Sequence, residues 1–346
     1  MTSVHRYPYA DGSHSVLPDA LRLGPVRLAV TNLDRSVAFY TTVLGLEVAV
    51  RGREGAHEVA HLAVGGEDVV VLEEEPDARR AGRHPGLYHV AYNYATRLEL
   101  ARALRRIAER RMPIEGASDH GAHEAIYLPD PDGNGLEVAW DRPREQWPAT
   151  LDLSNLRPRP LDLDGLLALT ADEPLSPRAE AGLRVGHVHL YVGDLMRTIA
   201  FYVDLLGFEL QFDLGTAAFM SAGAYHHHLG ANTWRGQGMA PVPPNTVGLR
   251  EWRIYLPTVA DVEAARARLT AGGVATTSAG DTDFTTIDPW GIPLRVGVAR
   301  RHPGRGGDEA RIGAPLHAAA PLPADTQDHA RPRAPHHPTR HAGHDR

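Results

Sequence analysis

Residues 185–210, VGHVHLYVGDLMRTIAFYVDLLGFEL, repeat residues 23–48, LGPVRLAVTNLDRSVAFYTTVLGLEV, at a constant offset of 162 and without a gap. Such a repeat constrains the architecture more than any local propensity does, because both copies must fold into the same supersecondary unit. In the first copy, residues 24–30 alternate like a strand, Leu33 to Leu44 carry apolar residues at helical spacing, and Gly45 stops the helix. LEVAVRG, EVAHLAVGG and EDVVVLEEE follow as three strands, which completes a βαβββ unit. GLYHVAY (86–92) opens a second unit with the helix LELARALRRIAERR. The second repeat copy opens a third, and GLREWRIYL (248–256) opens a fourth with the helix VADVEAARARLTAGG.

Four such units predict an α+β fold with two domains, 23–142 and 182–299, each of two units. Between them, residues 143–181 are rich in Pro with short apolar runs and read as a connector carrying one or two short helices. Residues 1–22 read as an arm leading into the first strand. Residues 300–346 hold Gly, Pro, Ala, charge and seven of the 20 histidines without periodicity, so a disordered, solvated tail is expected.

Composition narrows the chemistry. With no cysteine, disulfides and thiolate metal sites are excluded, and any metal must rest on histidines and carboxylates, as Fe(II), Mn(II) or Zn(II) can. A net charge of −7 with no basic stripe argues against nucleic acid as a partner. No run of eighteen apolar residues and no apolar leader segment occurs, so no membrane partner and a cytoplasmic location are expected.

The densest chemistry lies in His120–Glu137, HGAHEAIYLPDPDGNGLE. The turn formers of DPDGNG make HEAIYL and LEVAW the two strands of one hairpin. Tyr127 and Glu137 can then face one concave surface, with His120 entering from the segment before. His120, the pair Ile126-Tyr127, Asp130-Pro131, Gly133 and Glu137 resemble the signature of the extradiol ring-cleavage dioxygenases of the vicinal-oxygen-chelate superfamily, which also holds glyoxalases and bleomycin-resistance proteins. GLYH, DPDGNG and YHHH make the whole chain most similar to CatE-type catechol 2,3-dioxygenases.

That resemblance implies paired βαβββ units whose mixed sheets curl into cups, covering roughly 20–142 and 182–299. It also implies metal ligands on the opening and closing strands of each unit. At those positions unit one offers Pro25, unit two His89 and Glu137, unit three His187 and the run His226-His227-His228, and unit four Glu251 and Arg295. The competent positions fall on units two and three, which belong to different halves of the chain, so these units are expected to pair and to bring His89, Glu137 and His187 together. Units one and four would then form a metal-free cup. By the same resemblance the metal is Fe(II), or Mn(II), with O2 as cosubstrate and a small aromatic as substrate, and a homo-oligomer stays open. His227 is implied as acid–base group, with His226 or His228 as one-residue alternatives, and His120 and Tyr127 as groups that bond substrate oxygen. Alternation predicts that His227 faces away from its neighbours, and that His189 shares a face with His187 as an alternative ligand or supporting group. A glyoxalase-like isomerase or lyase with His227 or His228 as a fourth ligand, a hydroquinone-cleaving dioxygenase and a sequestering protein are the competing readings.

Overall fold

The computed structural model describes residues 17–148, 158–223 and 225–298. The expected tail at 300–346 and residues 1–16 of the expected arm lie outside the described residues.

Each unit runs strand, helix and three strands. Unit one comprises Val26–Val30, the helix Leu33–Phe39, and the strands Glu47–Glu54, His57–Val64 and Glu67–Glu74. Unit two comprises Gly86–Asn93, the helix Arg97–Glu109, and Gly116–Asp119, His123–Pro129 and Gly135–Asp141. Unit three comprises Arg184–Tyr191, the helix Leu195–Ile199, and Glu209–Asp213, Ala217–Ser221 and Leu229–Asn232. Unit four comprises Gly248–Leu256, the helix Val259–Ala271, and Thr276–Ser278, Phe284–Ile287 and Pro293–Val298.

Every helix starts at a side chain that caps it. Asn32, Thr96 and Asp194 accept from the backbone N–H three residues on, and Thr258 with Asp261 forms a reciprocal capping box. The repeat's helices both widen into a π turn, Tyr40–Leu44 and Ala200–Leu206, before Gly45 and Gly207 end them at φ of 81° and 104°. Only glycine enters that left-handed region freely.

Within each unit the first strand lies parallel to the last, and the other pairings are antiparallel. Units join through their first strands, and here the pairing crosses the halves of the sequence. Gly86–Asn93 runs antiparallel to Arg184–Tyr191, so units two and three share one sheet. Val26–Val30 runs antiparallel to Gly248–Leu256, so units one and four share the other. Each sheet is therefore assembled from both repeats.

Turns and helices tie each half back together. Asp130, buried at the DPDGNG turn, accepts from the backbone of Asp132 and Asn134 and from the Tyr40 hydroxyl at 3.2 Å. Asp288 in the matching DPWG turn accepts from Trp290 and Ile292 backbone and from Tyr202 at 2.8 Å. The repeated Phe-Tyr pair thus locks a helix of one unit onto the turn of the next. The connector is also docked: it includes the helix Leu163–Ala168, and the fully buried Arg106 bonds the carbonyls of Val43, Leu44 and Ser176. Among the described residues no helix is long and apolar enough to cross a membrane.

Candidate metal centre

The shared sheet of units two and three sets the site row by row. His187 lies opposite Ala91, which lies opposite Glu137; in the next row His189 lies opposite His89, which lies opposite Gly135. Two bulges adjust the ladder. Gly186 and Tyr88 are the extra residues at the register shifts, and the second brings the Tyr88 ring beside His89, with ring centres 4.7 Å apart.

Three ligand atoms converge in this sheet. His89 Nε2 and His187 Nε2 lie 3.0 and 3.1 Å from Glu137 Oε2, and 3.2 Å from each other. Among the described residues these three form the one group of histidines and carboxylates whose ligand atoms all lie within 4.8 Å of one another. Ligands sharing one face of an octahedron, with bonds of about 2.1–2.2 Å, stand about 3.0 Å apart, and those of a tetrahedron about 3.4 Å. The measured edges fit a facial triad. The protonation states fit as well: burial opposes ionisation of Glu137, yet His187, His123 and His89 outweigh it and hold the carboxyl well below its usual range. Burial, against the pull of Glu137, lowers His89 and His187. Two neutral imidazoles and a carboxylate are the forms a metal binds.

Around the triad, His120 Nε2 and the Tyr127 hydroxyl share a 2.9 Å hydrogen bond. Tyr127 stands directly across the hairpin from Glu137. Burial, reinforced by neighbouring His123, pushes His120 down to about 4, so it is a neutral partner near pH 7. Burial and the Glu137 charge push Tyr127 well above the usual phenol range.

The histidine run departs from expectation. Residues 225–228 form an irregular, bent segment ahead of the strand Leu229–Asn232, so strand alternation does not govern them. His227 packs on His187 with ring centres 4.0 Å apart. His226 turns toward the same region, its Nδ1 2.9 Å from His227 Nδ1 and its Nε2 3.1 Å from Asp141. His228 accepts from the Ala222 backbone through Nδ1 instead. His189 shares the face of His187, but its Nε2 accepts from Asn232 and its ring fills the space beside Gly230, outside the triad.

Two residues beyond those singled out in the sequence belong here. His123 Nε2 lies 3.2 Å from Glu137 Oε1, and Asp141 accepts from Tyr225 at 2.6 Å while facing His226. Alternation could have found both, since His123, Ala125 and Tyr127 share one strand face and Glu137, Ala139 and Asp141 share the next. In the sheet of units one and four, Arg27 instead bridges Glu54 and Glu73, Arg253 holds Glu251 and Arg295 holds Asp283.

The sequence profile described as Glyoxalase/Bleomycin resistance protein/Dioxygenase superfamily matches residues 22–138 and 184–294. The chain belongs to this superfamily. Catechol-2,3-dioxygenase of Bacillus subtilis (strain 168) is 35% identical over 273 residues, covering 77% of this chain and 93% of that protein. Among solved structures, a putative dioxygenase from Bacillus subtilis subsp. subtilis str. 168 aligns with a TM-score of 0.57 at 12% identity, over 83% of this chain and 86% of that one. Glyoxalase I from Zea mays aligns at 0.51 and 19% identity, over 81% and 92%. At those identities the structures speak to the shared fold alone.

Proposed function

We propose that the protein is an extradiol-type dioxygenase that opens the ring of catechol or a related dihydroxy-aromatic, with His89, His187 and Glu137 holding Fe(II). The reading is carried by the triangle of Nε2, Nε2 and Oε2 at 3.0–3.2 Å with the bonded Tyr127–His120 pair on the neighbouring strand. Bound Fe(II), or Mn(II), would supply open positions for a catecholate and O2. The protein's part is to hold the ring and move protons. His227, packed on His187 and low in pKa through burial, is neutral and able to take a substrate hydroxyl proton. His226 and Asp141 behind it fix its orientation. Tyr127 and His120 offer a hydrogen bond to the opposite side of the substrate. Tyr88, centred 4.7 Å from the His89 ring and 5.5 Å from Trp234, would pack beside an aromatic substrate ring, while Tyr191 is covered by the Arg235 guanidinium at 3.8 Å. The superfamily membership and the catechol-2,3-dioxygenase relative support this reading, with a small aromatic substrate met in the cytoplasm. A glyoxalase-like isomerase would use a fourth ligand, and neither His227 nor His228 joins the cluster among the described residues.

Anaerobic reconstitution with Fe(II), then catechol and air, tests it. Oxygen uptake with a yellow ring-fission product is expected, and Glu137→Ala should abolish both together with iron retention. Tight Zn(II) binding and isomerase turnover without oxygen uptake would replace this reading with the glyoxalase-like one.

A further inference from the structure

The far oxygen of Glu137 is not explained by the triad. Oε2 meets both ligand histidines, whereas Oε1, on a side chain only 1% exposed, has no hydrogen-bond partner among the described residues. A buried carboxylate oxygen left so is costly unless a donor or an ion claims it.

Of the two groups beside this carboxylate, the Tyr127 hydroxyl already shares a hydrogen bond with His120 Nε2, which leaves His123 as the donor placed to do so. Across the hairpin His123 pairs with Asp141 and Tyr127 with Glu137, and the intervening pair is Ala125 with Ala139. Two methyl groups leave the diagonal open, and the imidazole reaches along it until Nε2 stands 3.2 Å from Oε1, near enough to bond after a small rotation. The ring is clamped by stacking on His120 and on His226, each with centres 4.6 Å apart and planes within 16° and 10°. Among the described residues its Nδ1 makes no hydrogen bond, so Nε2 carries the polar contact of this ring. Nor is His123 itself a ligand of the triad, because its nitrogens lie outside the convergent group.

We infer that His123 is a positioning residue: by donating Nε2–H to Oε1 it fixes the plane of the Glu137 carboxylate and keeps Oε2 turned toward His89 and His187. This rests on the metal centre proposed above. Without that donor the carboxylate is free to rotate away from the two histidines, and losing a partner of this kind typically costs about 10–100-fold in metal affinity.

The test uses the full chain and Mn(II) titration by calorimetry, with the Co(II) visible spectrum as a second readout. His123→Leu removes the donor, His123→Gln keeps an N–H, and Glu137→Ala serves as reference. His123→Leu should weaken Mn(II) binding by about 10–100-fold and alter the Co(II) bands, while His123→Gln stays close to the parent in both. Parental affinity and spectrum in His123→Leu, or a loss in His123→Gln as large as in His123→Leu, overturns the inference. Should His123→Leu not fold, His123→Phe, an apolar ring of similar shape, replaces it: weakened binding supports the donor role and parental binding defeats it. If the parent binds no Mn(II), or Glu137→Ala binds like the parent, the metal centre itself fails whatever His123 does.

Discussion

Gly135 offers a test of how tightly the sheet sets the site. It lies in the DPDGNG turn's outgoing strand, directly opposite His89 and two residues before Glu137. A methyl group there would overlap the Tyr88 carbonyl oxygen and stand 3.1 Å from its carbon and 3.2 Å from His89 Cβ. Backbone cannot swing aside as a side chain can. In Gly135→Ala the strands Gly86–Asn93 and Gly135–Asp141 must part by roughly 1 Å, which carries a ladder bond beyond the ~3.2 Å where such bonds weaken. Overpacking costs about 1–3 kcal/mol and the weakened buried bond about 1–3 more. A total of about 2–6 kcal/mol lowers the melting temperature of a chain this size by roughly 3–9 °C. The same parting separates His89 from Glu137, whose ligand atoms are now 3.0 Å apart. Metal sites tolerate about 0.2 Å, so Mn(II) affinity should fall by about 100-fold. The control is Gly116→Ala in the same sheet, where the nearest atom would be Tyr127 Cδ2 at an ordinary 3.6 Å; its effect should stay within about 0.5 kcal/mol. Thermal melts with and without Mn(II), together with titration, provide the readout. A Gly135→Ala protein that melts and binds metal like the parent would refute the claim that strand spacing sets the ligand triangle.

Three other outcomes are expected. His227→Phe should retain iron and lose ring cleavage; if His226→Phe does this and His227→Phe does not, the acid–base group is the neighbouring histidine. Tyr40→Phe and Tyr202→Phe each remove a buried bond to the turn aspartates Asp130 and Asp288 and should cost about 1 kcal/mol in urea unfolding. His61, with Asp68 at 2.8 Å and Glu54 at 3.0 Å outweighing its burial, is pushed up to about 9. A folded pKa above the unfolded value stabilises below about pH 6.5, and that stability is lost as pH rises through about 9. The contribution is at most about 3 kcal/mol, because the same contact lowers Glu54 and is counted once. Urea midpoints at pH 6.5 and 10 should therefore differ more in the parent than in His61→Gln.

The repeat, the unit order and the turn at Asp130 are local matters, and the chain states them outright. A helix that begins at Asn32 or Thr96 and a hairpin that pairs Tyr127 with Glu137 depend on neighbours close in sequence, so spacing alone reveals them. That units two and three should join followed from the family resemblance: the ligand positions it implies carry histidines only in those two units. What the residues could not state is where side chains point once alternation lapses. The His226–His228 run lies in an irregular segment that joins the sheet only where the His228 N–H bonds the Met220 carbonyl at 2.8 Å, and there His226 and His227 face each other through Nδ1 at 2.9 Å. Tyr88 reaches the cup only through a bulge. The contact between His123 and Glu137 exists because two alanines stand between them across the strands. Sequence decides which groups are present and which local element each sits on; angles and reach, on which an ion or a proton depends at the scale of tenths of an ångström, are set only when distant strands pack.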